Sequence, residues 1–213
     1  MTTMHKVLNI LAKTICVLLH PMLMPCYGMA LFFLSNQPTI ALLPKVYCMV
    51  SMVGTLVLTL VIPFVLMLFL WRKGYIDSLH IEQAQQRTTP YIYTLICYGF
   101  WTYFLHSTIH MPSFIVWIAV GAIVALLAVV LINHWWKISA HLTGIGGLFG
   151  GICSFSLCYS TLPIWLIISL LILSLLLMYA RLYLKAHTPM QVVCGYLLGI
   201  ICTFIPSLII TYA

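Results

Sequence analysis

Six residues near the ends of apolar stretches carry most of the chemistry this chain could perform: Arg87, then Lys137 and His141, then Arg181, Lys185 and His187. Guanidinium and ammonium groups beside imidazoles, in a chain whose Asp+Glu count is 2, suit a phosphate with its charge and its planar arrays of oxygens. They suit a hard metal badly, because calcium and magnesium sites need several carboxylates. No metal and no cofactor is expected. Taken singly, each residue has a plainer use, since Lys and Arg at span ends snorkel as anchors and a His near a helix end is commonly just hydrogen-bonded. Their grouping on one face makes a site.

That grouping follows from the elements that must position them. The chain has 213 residues, 64% hydrophobic and 5% charged, with a mean hydropathy of +1.16. These values exclude an ordinary soluble domain. A spanning helix takes about 20 apolar residues, and seven such segments can be marked: Val7 to Leu34, Val46 to Trp71, Tyr91 to Ile109, Phe114 to Trp136, His141 to Tyr159, Leu162 to Tyr179 and Met190 to Tyr212. The expected fold is all-α, a polytopic transmembrane bundle of six or seven spans forming one integral membrane domain over residues 1–213. The first segment holds Pro21 and Pro25, so it is expected to kink or to begin with an interfacial turn, and it counts as one span or as two short pieces. Without a small-residue cleavage site after Met1 to Lys6, it reads as a retained span and not as a signal peptide.

A chain that crosses the membrane twice returns to the side it left. The loops Arg72 to Pro90, Lys137 to His141 and Ala180 to Pro189 therefore share one face and hold most of the ionisable residues. In a chain with so few charges, this convergence marks a functional site. The formal net charge of +7 is too thinly spread to bind nucleic acid. The eight cysteines lie almost entirely in apolar stretches, form no C-x-x-C pair and read as small apolar residues.

The segment Ala180 to Gln191, ARLYLKAHTPMQ, resembles the third signature of the type 2 phosphatidic acid phosphatase superfamily, in which Ser-Arg is followed by five residues, a histidine, three residues and an aspartate. Arg181 and His187 match at the right spacing. The second signature, Pro-Ser-Gly-His, is met by Ile138, Ser139, Ala140 and His141. The first, Lys, six residues, then Arg-Pro, is degraded: His80 stands at the lysine position, Arg87 is in place and the proline comes late at Pro90. The resemblance runs from about His80 to Gly199.

It implies a metal-independent membrane lipid phosphatase acting through a phosphohistidine. His187 would attack phosphorus, and His141 would protonate the leaving group and then activate water. Arg87, Arg181 and Ser139 would hold the non-bridging oxygens. Lys137, four residues before His141, is placed to supply the cation that His80 does not. The family aspartate is replaced by Gln191, whose carbonyl oxygen can accept from an imidazole N–H but cannot stabilise an imidazolium by charge. In the serine protease case an aspartate-to-amide change costs about 10⁴ in rate, largely through the wrong histidine tautomer. Glu82 or a backbone carbonyl is the candidate to compensate.

The implied substrate is a membrane lipid bearing a phosphate monoester or diphosphate: an isoprenyl diphosphate, phosphatidic acid, phosphatidylglycerol phosphate or a lipid A phosphate. The alternative is a lipid-phosphate binding or translocating protein that kept the anion site and lost the chemistry. The sequence does not choose an oligomeric state. The run GIGGLFGG lacks the flanking strand and Lys-Ser/Thr of a phosphate loop. Gly146 and Gly150, and Gly195 and Gly199, have the small-xxx-small spacing that lets membrane helices approach closely. His106 and His110 fall on the opposite face.

The expected location is a bacterial inner membrane. Eight of nine Lys and Arg residues lie at or near the site face, which the positive-inside rule places in the cytoplasm, whereas the resemblance implies the other side. The charge rule is preferred because the hydrophobic hairpin Tyr91 to Trp136 replaces what in many relatives is an extramembrane connection. A reporter fused after Ala213 should then be active only outside the cytoplasm; cytoplasmic activity would reverse the orientation.

Overall fold

The computed structural model describes residues 3–35, 37–77, 84–160 and 162–212. His80 and Glu82 lie outside the described residues. The described chain is helical throughout: α1 (Thr3–Leu18), a 3₁₀ turn (Pro21–Leu23), α2 (Met24–Phe33), α3 (Pro38–Ala41), α4 (Lys45–Leu56), a π turn (Val57–Val61), α5 (Ile62–Arg72), α6 (Ala84–Ser107), α7 (Ser113–Asn133), α8 (Ala140–Tyr159), α9 (Ile164–Tyr183) and α10 (Pro189–Tyr212). Among the described residues six stretches are long and apolar enough to cross a membrane: Met4–Phe33, Lys45–Arg72, Ser113–Asn133, Ala140–Tyr159, Ile164–Tyr183 and Pro189–Ile209. The chain is an all-α, multi-pass membrane protein.

The expected segment Tyr91 to Ile109 corresponds to α6, a helix of 24 residues that ends at Ser107 and packs against α7. Arg87, Tyr91, Thr94 and Tyr98 repeat at three- and four-residue spacing and line an internal cavity, so its helical face toward the bundle is polar. Two boundaries differ from the sequence reading. Arg87 sits near the start of α6 and not in the preceding loop, and Arg181 sits in the last turn of α9. In both places the helix runs past the apolar stretch, and α6 does so with Pro90 in its second turn, where a proline is less disruptive than in a helix interior.

The first apolar stretch breaks where its prolines stand. α1 ends at Leu18, His20 caps the 3₁₀ turn, and Pro21 occupies its first position. α1 packs on α9, with Ala12 and Cys16 against Leu177 and Ala180. α2 runs along α8 until Phe32 meets Phe155 and Phe114, edge to face, at ring separations of 5.1 and 5.9 Å. One core cluster thus lies beneath the histidines and the other at the far end of the bundle.

The largest helix pairing is α8 against α10, and its closeness depends on glycine. A Cβ on Gly199 would collide with the Thr143 carbonyl oxygen, and one on Gly195 would stand 2.8 Å from the Ser139 carbonyl oxygen. Substituting Gly199 by Ala should therefore cost about 1–3 kcal/mol of overpacking. The expected outcome is a lower melting temperature in detergent, and an unchanged melt would show that the two helices can part without loss.

Candidate active site

His187 lies in the short turn between α9 and α10, and both neighbouring helix ends fix it. At the end of α9, Ala186 N–H bonds the Arg181 carbonyl at 3.1 Å and Lys185 N–H bonds the Leu182 carbonyl at 2.9 Å. This is the Schellman pattern, with Lys185 in the left-handed position at φ 52°. A side chain there costs roughly 1–2 kcal/mol relative to glycine's freedom, and the turn thereby carries a cation beside the histidine. α10 begins with a reciprocal cap: Gln191 N–H donates to Thr188 Oγ1 at 3.4 Å, and Thr188 N–H donates to Gln191 Oε1 at 3.1 Å. Pro189 occupies the first helical position, where its missing N–H costs nothing.

That cap settles what Gln191 offers to His187. Because Oε1 accepts from Thr188 N–H, the amide is oriented with its oxygen toward the imidazole, 3.1 Å from Nδ1. The Lys137 carbonyl is 3.2 Å from the same nitrogen. Two acceptors on Nδ1 require the proton there and leave the Nε2 lone pair free, the tautomer a histidine nucleophile needs. His187 is buried. Burial and the nearby Arg181 guanidinium lower its pKa to about 4, Arg87 and Lys137 add to the effect, and the Gln191 bond opposes it. Imidazole therefore stays neutral as pH falls from 7 and is lost to protonation only near pH 4. Gln191→Glu keeps the cap and adds a charge that favours imidazolium, so the acid limb of any His187-dependent reaction should move to higher pH. Turnover limited by imidazolium-like charge should rise about tenfold, equivalent to about 1.4 kcal/mol; an unmoved limb would show that residue 191 does not face the reacting histidine.

Arg87, Lys137, His141, Arg181, Lys185 and His187 all line one cavity of about 1150 Å³. Among the described residues Arg181 Nε is buried without a hydrogen-bond partner, and its NH1 donates to the Cys16 sulfur at 3.8 Å. Arg181 lines the cavity, and a guanidinium there suits an anion. Arg87 is buried and hydrogen-bonded to Tyr91. Ser139 is fully buried, but its side chain does not reach the cavity wall; its backbone N–H donates to the Gln191 carbonyl at 3.3 Å, tying α8 to α10. Asp77 hydrogen-bonds Gln86 at 2.8 Å. His106 and His110 are not on the cavity wall.

Away from the cations the cavity turns apolar between the helices, along Met29, Phe32, Trp101 and Ile152. There Trp101 Nε1–H donates to Thr55 Oγ1 at 2.9 Å, and Thr55 Oγ1 donates onward to the Ser51 carbonyl. On its other side His187 borders an open depression of about 640 Å³ with Lys137, Lys185, Thr188 and Gln191. The imidazole therefore stands between an apolar chamber and an opening to the outside.

Sequence reasoning missed the contribution of α1. Lys13, Cys16 and His20 also line the cavity, and the His20 ring meets the His141 ring edge-on at 5.1 Å and 83°. The available signal was a histidine directly before a helix-breaking proline inside an apolar stretch.

The chamber of this all-α membrane bundle thus holds three histidines, His20, His141 and His187, among cations at one end of its helices. The family model described as the PAP2 superfamily matches residues 118–213, from within α7 to the end of the chain, and over this stretch the chain is similar to that superfamily. The match supports a phosphatase-type function in general terms. The matched residues include Lys137, Ser139, His141, Arg181, His187 and Gln191, while Arg87 and all of α1 lie before them. No curated protein and no solved structure matches the chain.

Proposed function

We propose that this protein hydrolyses a lipid phosphate monoester or diphosphate through a phosphohistidine. The observation that carries the reading is the neutral His187, held by the Lys137 carbonyl and Gln191 with Nε2 free, in a cavity that is cationic beside it and apolar beyond. The apolar arm would receive the acyl or isoprenyl tail while the phosphate lies among Arg87, Arg181, Lys137 and Lys185.

In the first step Nε2 of His187 attacks phosphorus and the P–O bond to the lipid breaks. His141 gives its proton to the departing oxygen, so an alcohol, or a lipid monophosphate from a diphosphate, leaves uncharged at that atom. In the second step His141 takes a proton from water, the hydroxide oxygen attacks phosphorus, and the P–N bond breaks. Inorganic phosphate and neutral His187 are restored, and the depression beside His187 supplies a route for water. The arginines stabilise negative charge on the equatorial oxygens throughout. The role left open by the family aspartate is divided between Gln191 and the Lys137 carbonyl, which hold the tautomer without a charge.

The test is phosphate release by the detergent-purified protein, in chelator, from a panel of lipid monophosphates and diphosphates. Release with acid-labile phosphate trapped on the protein supports the reading. Binding of the same lipids without release from any of them would overturn it in favour of a lipid-phosphate binding or translocating protein.

A further inference from the structure

The C-terminal break of α1, outside the family-matched residues, is built into the site. A helix leaves its last carbonyls without ladder partners. In α1, Leu19 N–H takes the Ile15 carbonyl at 2.9 Å, His20 N–H tightens onto the Val17 carbonyl at 3.3 Å, and Tyr27 hydroxyl donates to the Leu18 carbonyl at 2.8 Å. The amide that would have continued the ladder to Cys16 is that of His20, and it has turned to Val17. Cys16 instead hydrogen-bonds His141 through its backbone.

The same break sets His20. Its Nδ1 accepts Met22 N–H at 3.4 Å, capping the 3₁₀ turn, and its ring stands edge-on to His141. Pro21, next in sequence, packs on Gly144, one turn beyond His141 on α8: a Cβ on that glycine would lie 3.0 Å from Pro21 Cα. One turn of chain thus presents a carbonyl and a ring wall to one imidazole.

We propose that this turn positions His141 as the proton donor, with the Cys16 backbone and the edge of the His20 ring fixing the imidazole while its other nitrogen serves the leaving oxygen, and His20 as the positioning residue. The inference rests on the phosphatase reading above. His141 is otherwise faced by Arg181, His20 and His187, all cationic or able to become so. The edge contact of the two rings and the packing of Pro21 on Gly144 fix where this imidazole stands, and that placement is what a proton donor needs.

The experiment compares two substrates carrying the same tail, an alkyl phosphate and a nitrophenyl phosphate. An alkoxide needs a proton to leave and a nitrophenolate does not. His20→Asn keeps an acceptor for Met22 N–H and removes the ring. We expect kcat on the alkyl phosphate to fall about 10²-fold, the lower end of what a general acid contributes, and kcat on the nitrophenyl phosphate to change less than about threefold, with His187→Ala abolishing both. Equal losses on the two substrates would reduce His20 to a structural residue, and no loss on either would remove it from the mechanism; each overturns the inference and leaves the phosphatase reading standing. Release from neither substrate by the unaltered protein overturns the reading and the inference together.

Discussion

Replacing His187 by alanine is expected to lower phosphate release by about 10⁴- to 10⁶-fold, the range seen when a covalent nucleophile is removed from a site that acts as a unit. The structure gives this expectation its physical content. His187 is buried, neutral at pH 7 and locked at Nδ1 by two acceptors, and it lines the cavity with Nε2 left for the substrate. Binding should persist, because Arg87, Lys137, Arg181 and Lys185 line the same cavity and keep their charges without the imidazole. The measurement is single-turnover release together with equilibrium binding of the same lipid phosphate. A variant that binds and retains release within tenfold would show that the phosphoryl group is not carried by His187.

Arg181→Ala should cost about 10²- to 10³-fold in kcat, the usual loss when one preorganised donor to a developing oxyanion is removed. Two observations set this residue above the other cations. It occupies the last turn of α9, where its backbone carbonyl closes the Schellman turn that carries His187, and its Nε is buried with no hydrogen-bond partner among the described residues. A guanidinium held in place on the cavity wall is preorganised for its anion, so little reorganisation accompanies binding. Arg181→Lys should recover less than a tenth of the loss, because a point charge cannot reproduce two parallel N–H bonds. Full recovery would mean that only the charge matters. The Ala variant should also bring the pKa of His187 upward, since Arg181 is the largest electrostatic influence lowering it. The acid limb would then move to higher pH, the same direction as for Gln191→Glu and for the same reason, a smaller penalty on imidazolium.

Much of the architecture was legible because composition and period act locally. The long apolar runs Phe114 to Trp136, Leu162 to Tyr179 and Met190 to Tyr212 correspond to α7, α9 and α10 within a few residues, and the Gly195 and Gly199 spacing foretold the close pairing of α10 with α8. Boundaries drifted at Arg87 and Arg181, where helices extend past their apolar runs, so that residues assigned to loops project from helix ends. Gln191 shows the limit of reading one position alone. As a substitute for an aspartate it looks like a loss of charge, yet it is also the third residue of a helix N-terminus, where Gln answers Thr188. The cap fixes its oxygen on His187, and the cost attached to a wrong tautomer does not arise.

The sequence by itself determined that the chain is a helical membrane protein with its scarce ionisable groups at span ends, and it marked Arg181 and His187 as a spaced pair, because hydrophobic period, proline placement and motif spacing are properties of neighbouring residues. Only the tertiary structure decided that α1 belongs to the site. His20 and His141 are far apart in sequence and carry no shared pattern, and they meet because a helix broken at Pro21 packs on Gly144 and turns a free carbonyl toward an imidazole. Contacts of that kind depend on how helices pack in three dimensions, which no local period encodes.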